Sequence, residues 1–517
     1  MKPFQRTQSE HAIHHRIPNL LLFLTLCILQ SCAPVPVHTK LASLPGTDTP
    51  MDTRGCERFF LQLDQIIERA GVRDAEQARV RSFPYLRTDR FLASFRTDVK
   101  NSAEFNAWVA HLQSLDQSAR EKELTNLPPH ALSQPLGTSH DNDRLNATIA
   151  KCSALLSRRD RSDPLKRENL RQNARVPPAY QTYKRVLGLY PITAQAVLWG
   201  VERLHKETAL SFATPKQNLP IQGELVRYSP RSTGEQLNRR QVAKLIKVSS
   251  ANSLKIPEPG AQDKQRLLNT FAPVWEIDVV SENDRIGAPR WSDAHEPSID
   301  IEHPQVYQRI SHTRFDGRIL LQLNYQIWFP SRPRSGTFDL LGGLLDGILW
   351  RVTLAPNGEP MLFDSIHNCG CYHLFFPSPG LRYRGRAYVY DEPLLIAHSL
   401  PALHEGERIV VRIASTTHYL QNLSTVQTQR PSKVVEYSLE DYDTLRSLPL
   451  ASGAHRSLFG TDGLVAGTER GERWIFWPMG IPDPGTMRQW GYHATAFVGR
   501  RHFDDPDLLD RYFEIQE

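Results

Sequence analysis

Arg318-Ile-Leu-Leu-Gln-Leu-Asn-Tyr-Gln-Ile-Trp-Phe329 carries the clearest period-two signal in this 517-residue chain. Ile319, Leu321, Leu323, Tyr325, Ile327 and Phe329 fall on one side; Leu320, Gln322, Asn324, Gln326 and Trp328 share the other. Successive side chains of a strand point to opposite faces, so the run predicts a half-buried strand with one more polar face. Val274 to Val279 alternates in the same way. Downstream, Trp350–Leu354 and Met361–Ile366 flank a loop containing Asn357-Gly358, a pair that favours a tight hairpin. Strand-like runs at 386–390, 394–397 and 408–414 follow without intervening helices. Such spacing predicts an antiparallel sheet, sandwich or open barrel over 271–517, with a strand near 493–498 and a short terminal helix.

Upstream the period changes. Phe59, Phe60, Leu63, Ile66 and Ile67 recur at three- and four-residue steps before Gly71, the pattern of an amphipathic helix with a stop signal. Ser102, read as an N-cap, opens a second helix whose face carries Phe105, Trp108, Val109, Leu112 and Leu115. Further helices are expected at Leu145–Leu156 and Gln195–Phe212, with breaks at 83–86, 177–180 and 188–191. The fold class is therefore α+β: a helical domain over 56–215, a basic polar connector over 216–270, and the β-rich domain over 271–517. The connector's basic run reads first as a solvated face; contact with lipid headgroups or an anionic glycan is the sharper alternative.

The formal net charge of +6 is small for this length and argues against a dedicated nucleic-acid binder, which needs a concentrated basic face. The N-terminus differs in character. Lys2, Arg6 and Arg16 precede ten apolar or near-apolar residues, Leu20 to Leu29. Ten is too few to span a bilayer as a helix, which takes about 20. A cationic start, a short apolar run and a small residue before a cut site make an export signal.

The end of that run, Leu29-Gln30-Ser31-Cys32, resembles the lipobox of bacterial lipoproteins, with Gln30 where a small or hydroxyl residue is usual. The resemblance implies a signal peptide over 1–31 and an acylated Cys32 as mature N-terminus. With Ala33 rather than Asp next, it also implies sorting to the outer membrane, facing the periplasm. Multiple acyl chains make such an anchor stable. Residues 32–55, rich in proline, suit a tether. In an oxidising periplasm isolated thiols pair, so Cys56 and Cys152 are expected to form a disulfide; two buried free thiols are the alternative.

Chemistry concentrates in Phe363-Asp-Ser-Ile-His-Asn-Cys-Gly-Cys-Tyr-His-Leu-Phe-Phe376, where His367, Cys369, Cys371 and His373 alternate. Thiolate and imidazole suit zinc or copper. On a straight strand His367 and His373 would lie about 20 Å apart, so a four-ligand site needs a sharp turn, which Asn368 and Gly370 permit. As a nucleophile, Cys369 or Cys371 would need an imidazole and an orienting group. His367, His373 and the more distant His418 supply the first; Asp364, Asn368 and Asp346 supply the second. A Cys369–Cys371 disulfide would be labile. The plain alternative is a set of turn and core residues. Trp474, Trp477 and Trp490 read as packing residues before a sugar platform, and Asp504-Asp505-Pro506-Asp507 as a helix start. Nucleotide, dinucleotide, zinc-protease and serine-hydrolase fingerprints are absent from the sequence. Two functions remain: an envelope factor binding a protein, lipid or glycan, or an enzyme using the cysteine–histidine cluster.

Overall fold

A computed structural model describes residues 51–128, 131, 140–231, 236–336, 338–385, 391–427 and 434–516. The signal peptide, Cys32 and the strand-like run at 386–390 lie outside the described residues. The described residues belong to one compact unit. The helices are α1 (Thr53–Ala70), α2 (Arg90–Ala93), α3 (Ser102–Thr125), α4 (His140–Ser162), α5 (Pro164–Asn173), α6 (Thr182–Leu187), α7 (Tyr190–Ala213), α8 (Arg239–Ser249), α9 (Ala261–Phe271), α10 (Arg473–Phe476) and α11 (Leu508–Tyr512). A small hairpin, β1 (Ala78–Arg79) and β2 (Arg87–Thr88), precedes the main sheet.

The sheet strands are β3 (Glu224–Pro230) and β4 (Val274–Val279), then, beyond the small hairpin β5 (Ala288–Trp291) and β6 (Pro297–Asp300), β7 (Gln305–Phe315), β8 (Arg318–Arg332), β9 (Gly343–Leu354), β10 (Pro360–His367) and β11 (Leu374–Pro377). After β12 (Leu381–Tyr383) come β13 (Leu395–Ile396), β14 (Glu407–Ile413), β15 (Leu420–Gln427) and β16 (Val435–Asp441). The order across the 11 strands is β13-β11-β10-β9-β8-β7-β16-β3-β4-β14-β15. The run β7 to β11 is an antiparallel meander, whereas β16 pairs in parallel with both β7 and β3.

The residue pattern explains most of this layout. Asp52 caps α1 by accepting from Gly55 N–H, and Gly71 at φ 68° ends it. The cap of α3 is Asn101, accepting from Glu104 N–H at 3.0 Å, and not Ser102. Gly358 at φ 84° closes the β9–β10 hairpin. Residues 216–270 are no connector: they hold β3, near the middle of the sheet, with α8 and α9. The region 493–498 forms an isolated bridge from Ala494 to His502 in place of a strand.

β8 is buried on both faces, not on one. Leu321, Leu323, Tyr325, Ile327 and Phe329 join a core with Phe212 of α7, Val242 and Ile246 of α8, and Leu267 and Leu268 of α9. The other face is covered by two further clusters. Leu320 packs with Leu508, Leu509, Tyr512 and Phe513; Trp328 packs with Tyr442, Met487, Trp490 and Phe503. The polar residues of that face bond one another: Gln322 donates to Thr353 Oγ1 at 3.1 Å and Asn324 to Ser311 Oγ at 3.0 Å. Pairing spares those two side chains part of the cost of burial, while Gln326 and Asn324 Oδ1 are buried without a partner among the described residues.

The N-terminal helices sit over this covered face, tied by charge as well as packing. Arg309 on β7 donates to Glu76 at 2.9 Å, Arg446 to Asp74, and Arg90 to Asp504 at 2.9 Å. Within the helical layer, Arg87 donates to both oxygens of Glu123 at 2.7 and 2.8 Å and to Asp116 at 3.2 Å, fully buried. Cys56 of α1 and Cys152 of α4 are joined by a disulfide.

Candidate functional site

The cysteine–histidine stretch is the reversal between β10 and β11. Gly370, at φ 92°, donates to His367 O at 2.7 Å, and His367 N–H donates to Cys371 O at 2.9 Å. A Cβ on Gly370 would lie 2.8 Å from Ala494 O, so both conformation and space demand glycine there. Asn368 is locked from two sides: its N–H donates to Gly347 O at 2.9 Å and its side chain to Ile327 O at 3.1 Å.

The turn expected from sequence therefore exists, yet it parts the histidines. His373 Nε2 bonds Asp364 Oδ2 at 2.8 Å, and Asp364 is gripped through both oxygens by Arg351 from the adjacent strand. His367 Nδ1 lies 3.6 Å from Asp346 Oδ1 on β9. Each imidazole is taken by its own aspartate. His367, Cys369, Cys371 and His373 thus do not converge as ligands, and among the described residues no group of three or more His, Cys, Asp or Glu is placed to hold a metal ion. The zinc or copper expectation thus finds no convergent ligand set among the described residues.

Asp346 also binds His418 Nδ1 at 2.8 Å, and His418 Nε2 faces Asp284 Oδ1 at 3.4 Å. Burial pushes the His418 pKa down, but the Asp284 and Asp346 carboxylates together outweigh it and raise the pKa above the ordinary imidazole value. Its ring stacks on Phe329 with centroids 3.9 Å apart. Asp284 is satisfied by three backbone donors, from Val280, Ser281 and Thr416. Leu345, Tyr372, Thr416 and His418 all have φ between 51° and 60°, a cluster of strained non-glycine backbone of the kind that surrounds functional sites. His418 and Asp346, singled out from sequence, meet each other and His367 but no thiol.

The thiols themselves are side by side and free. Cys371 N–H contacts Cys369 Sγ at 3.4 Å, and Cys371 Sγ–H points to Glu472 Oε1 at 3.9 Å. The hydrogen bond with Cys369 and burial hold the Cys371 pKa well above the ordinary thiol value. Burial lifts Glu472 to about 7, against the pull of Arg470, Arg332 and Arg488. A protonated thiol beside a carboxyl group, with no imidazole bonded to it, lacks the activation that cysteine nucleophiles require.

Cys369, Cys371 and His373 instead line a cavity of about 450 Å³ roofed by α7, within the roughly 300–1,000 Å³ span of small-molecule sites. Its walls are mostly apolar, from Val197, Leu204, Leu395, Phe476, Ile481 and Phe497. Polar groups are few. Glu472 and Glu392 both line it, and burial raises the pKa of each. His373 is held near 4 by burial in spite of Asp364, so it stays neutral, and its Nδ1 has no protein partner. A second cavity of about 210 Å³ shares Leu204, Tyr372 and Leu395 with the first and is lined by His367, Thr417 and Tyr419. The Tyr372 and Tyr419 hydroxyls bond across it.

Sequence reading missed Glu472, Glu392, Tyr372 and Tyr419, which come from segments far apart in the chain. The roof helix was expected over Gln195–Phe212 but starts earlier, at Tyr190, within the segment read as a break; its place over a cavity was not foreseen. Of the three tryptophans, packing holds for Trp490 alone; Trp474 and Trp477 are exposed. Asp504 and Asp505 serve as ion-pair partners of Arg90 and Arg511, and Asp507 precedes α11. No family model, curated protein or solved structure matches the chain.

Proposed function

We propose that this chain is a cell-envelope binding factor, exported, anchored through acylated Cys32 and held at the outer membrane, that takes the apolar part of an amphiphile into the cavity beneath α7. The cavity is the observation that carries the reading: about 450 Å³, apolar-walled, with a handful of convergent polar groups. Those groups define the ligand's other end. Glu472 and His373 Nδ1, which has no partner among the described residues, offer polar contacts, whereas Glu392 is already taken by Arg501 and by the Phe497 and Val498 N–H groups. The ligand class is an alkyl, isoprenoid or aromatic body whose polar end donates a hydrogen bond to the lone pair of His373 Nδ1.

Titration with N-phenyl-1-naphthylamine, a neutral apolar probe with one N–H, tests this. A saturable fluorescence rise at one probe per chain is expected, and its loss in Gly200→Phe. Gly200 lines the cavity and a Cβ there meets nothing within 4 Å, so a side chain can begin from it without moving the backbone. Leaving glycine inside a helix also gains about 0.5 kcal/mol, so lost binding is not lost folding. An undiminished signal in Gly200→Phe and in Val197→Trp overturns the proposal.

A further inference from the structure

The roof of the cavity is unusually bare. Of the 24 residues of α7, Ala194 and Phe212 are the buried ones. Ile192, Trp199 and Leu210 are 70%, 68% and 69% exposed. Steps of seven and eleven residues set them on one line along the helix. Tyr183, Val186, Leu187 and Leu189, just before it, are exposed as well, as are Trp474, Ile475 and Trp477, of which Ile475 lines the cavity. These segments are one surface, because Gln181 N–H donates to Gly480 O at 2.7 Å and Arg185 to Met479 O at 2.8 Å. Scattered exposed apolar residues are ordinary; a contiguous patch marks an interaction site.

Charge identifies the occupant. From Asn169 to Val201 there is no Asp or Glu; Arg171 pairs back to Glu168 at 3.7 Å, which leaves Arg175, Lys184 and Arg185 as the basic residues of this stretch. The facing run Arg473–Pro482 is also free of acidic residues, and the Arg473 guanidinium lies 4.9 Å from the Trp474 ring centroid. Acidic residues enter α7 only at Glu202 and Glu207, and Glu207 pairs with Arg203 at 3.0 Å. Apolar side chains, tryptophan and tyrosine, and basic residues without acidic ones are what the boundary between anionic headgroups and acyl chains accommodates.

We infer that this face lies in the interfacial layer of an anionic bilayer, with Trp199, Trp474 and Trp477 at headgroup level. The cavity mouth beside α10 then opens toward lipid, so an amphiphile enters without crossing water. The inference stands on exposure and charge, not on the acylation of Cys32 or on ligand binding, and fails or survives separately from them.

Brominated-lipid quenching in vesicles of phosphatidylethanolamine and phosphatidylglycerol, with the full-length processed protein, reads it directly. Trp108, Trp275, Trp328, Trp350 and Trp490 are buried, so bromine should reach mainly the exposed indoles. Quenching of the wild-type emission is expected, with most of it lost when Trp199→Phe, Trp474→Phe and Trp477→Phe are combined. Leu187→Asp with Ile192→Asp, which keeps every indole, should also lose it. Equal quenching in wild type and the triple variant, or none in wild type, overturns the inference. So does full quenching in the double aspartate variant. Replacing phosphatidylglycerol by phosphatidylcholine should weaken quenching; no change overturns the assignment to anionic lipid.

Discussion

Glu472→Gln turns the buried carboxyl beside Cys371 into a stability measurement. In the folded chain burial lifts this group from 4.5 to about 7. Between those two values the folded state holds a proton that the unfolded state has released. Stability therefore falls as pH rises through that window and is level above it. A shift of about two and a half pH units, at about 1.4 kcal/mol per unit, corresponds to roughly 3 kcal/mol. Near pH 4.5 wild type and Glu472→Gln should unfold at similar urea concentrations, the amide still accepting from Cys371. At pH 8 the variant should be the more stable by up to about 3 kcal/mol. Urea titrations followed by tryptophan fluorescence at the two pH values give the difference. Asp89, lifted by burial to about 6, titrates over the same range, but it is common to both proteins and cancels. A variant less stable than wild type at pH 8, or one whose difference does not change with pH, refutes the reasoning.

Replacing Cys56 and Cys152 by serine opens a link between residues 96 apart and should lower stability by about 2–4 kcal/mol; loss of the mass shift on reduction and alkylation confirms the change, and unaltered urea unfolding would count against it. Arg87→Met leaves Glu123 and Asp116 buried without their shared partner and should cost about 3–5 kcal/mol, read as an earlier unfolding midpoint. Gly370→Ala, at φ 92° and against Ala494 O, should destabilise by about 1–3 kcal/mol, seen as a lowered melting temperature. Cys32→Ala should abolish incorporation of labelled palmitate; a product still labelled removes the proposed anchor.

Local chemistry wrote the elements plainly where period and punctuation agreed. Val274–Val279 alternates and is β4; Asn357-Gly358 marks a real hairpin; Gly71 ends α1 at the position its missing Cβ allows. β8 was half legible. Its period set the strand, but nothing in Gln322, Asn324 and Gln326 tells that distant segments cover them. The connector misled for a related reason, since the short apolar positions of β3 are diluted by arginine and proline. At the site, the turn was foreseeable from Asn368 and Gly370, and Asp364 and Asp346 were among the candidate orienting groups, while which histidine each would hold was not. Asp346 and Asp364 reach them through the register of β9 and β10, and register is decided by the assembled sheet.

The place of β16 governs the timetable by which this molecule assembles. It lies between β7 and β3, parallel to both, and among the described residues it is the strand that joins the meander to the β3-β4-β14-β15 group. Neither half can zip to the other until the chain has been made past residue 441, more than two hundred residues after β3 begins. Parallel closure over such separations is slow, and until it happens two raw strand borders stand open to neighbours. A protein built this way benefits from being kept unfolded until its last third is available. Its yield should depend on chaperone supply more steeply than its final stability would suggest.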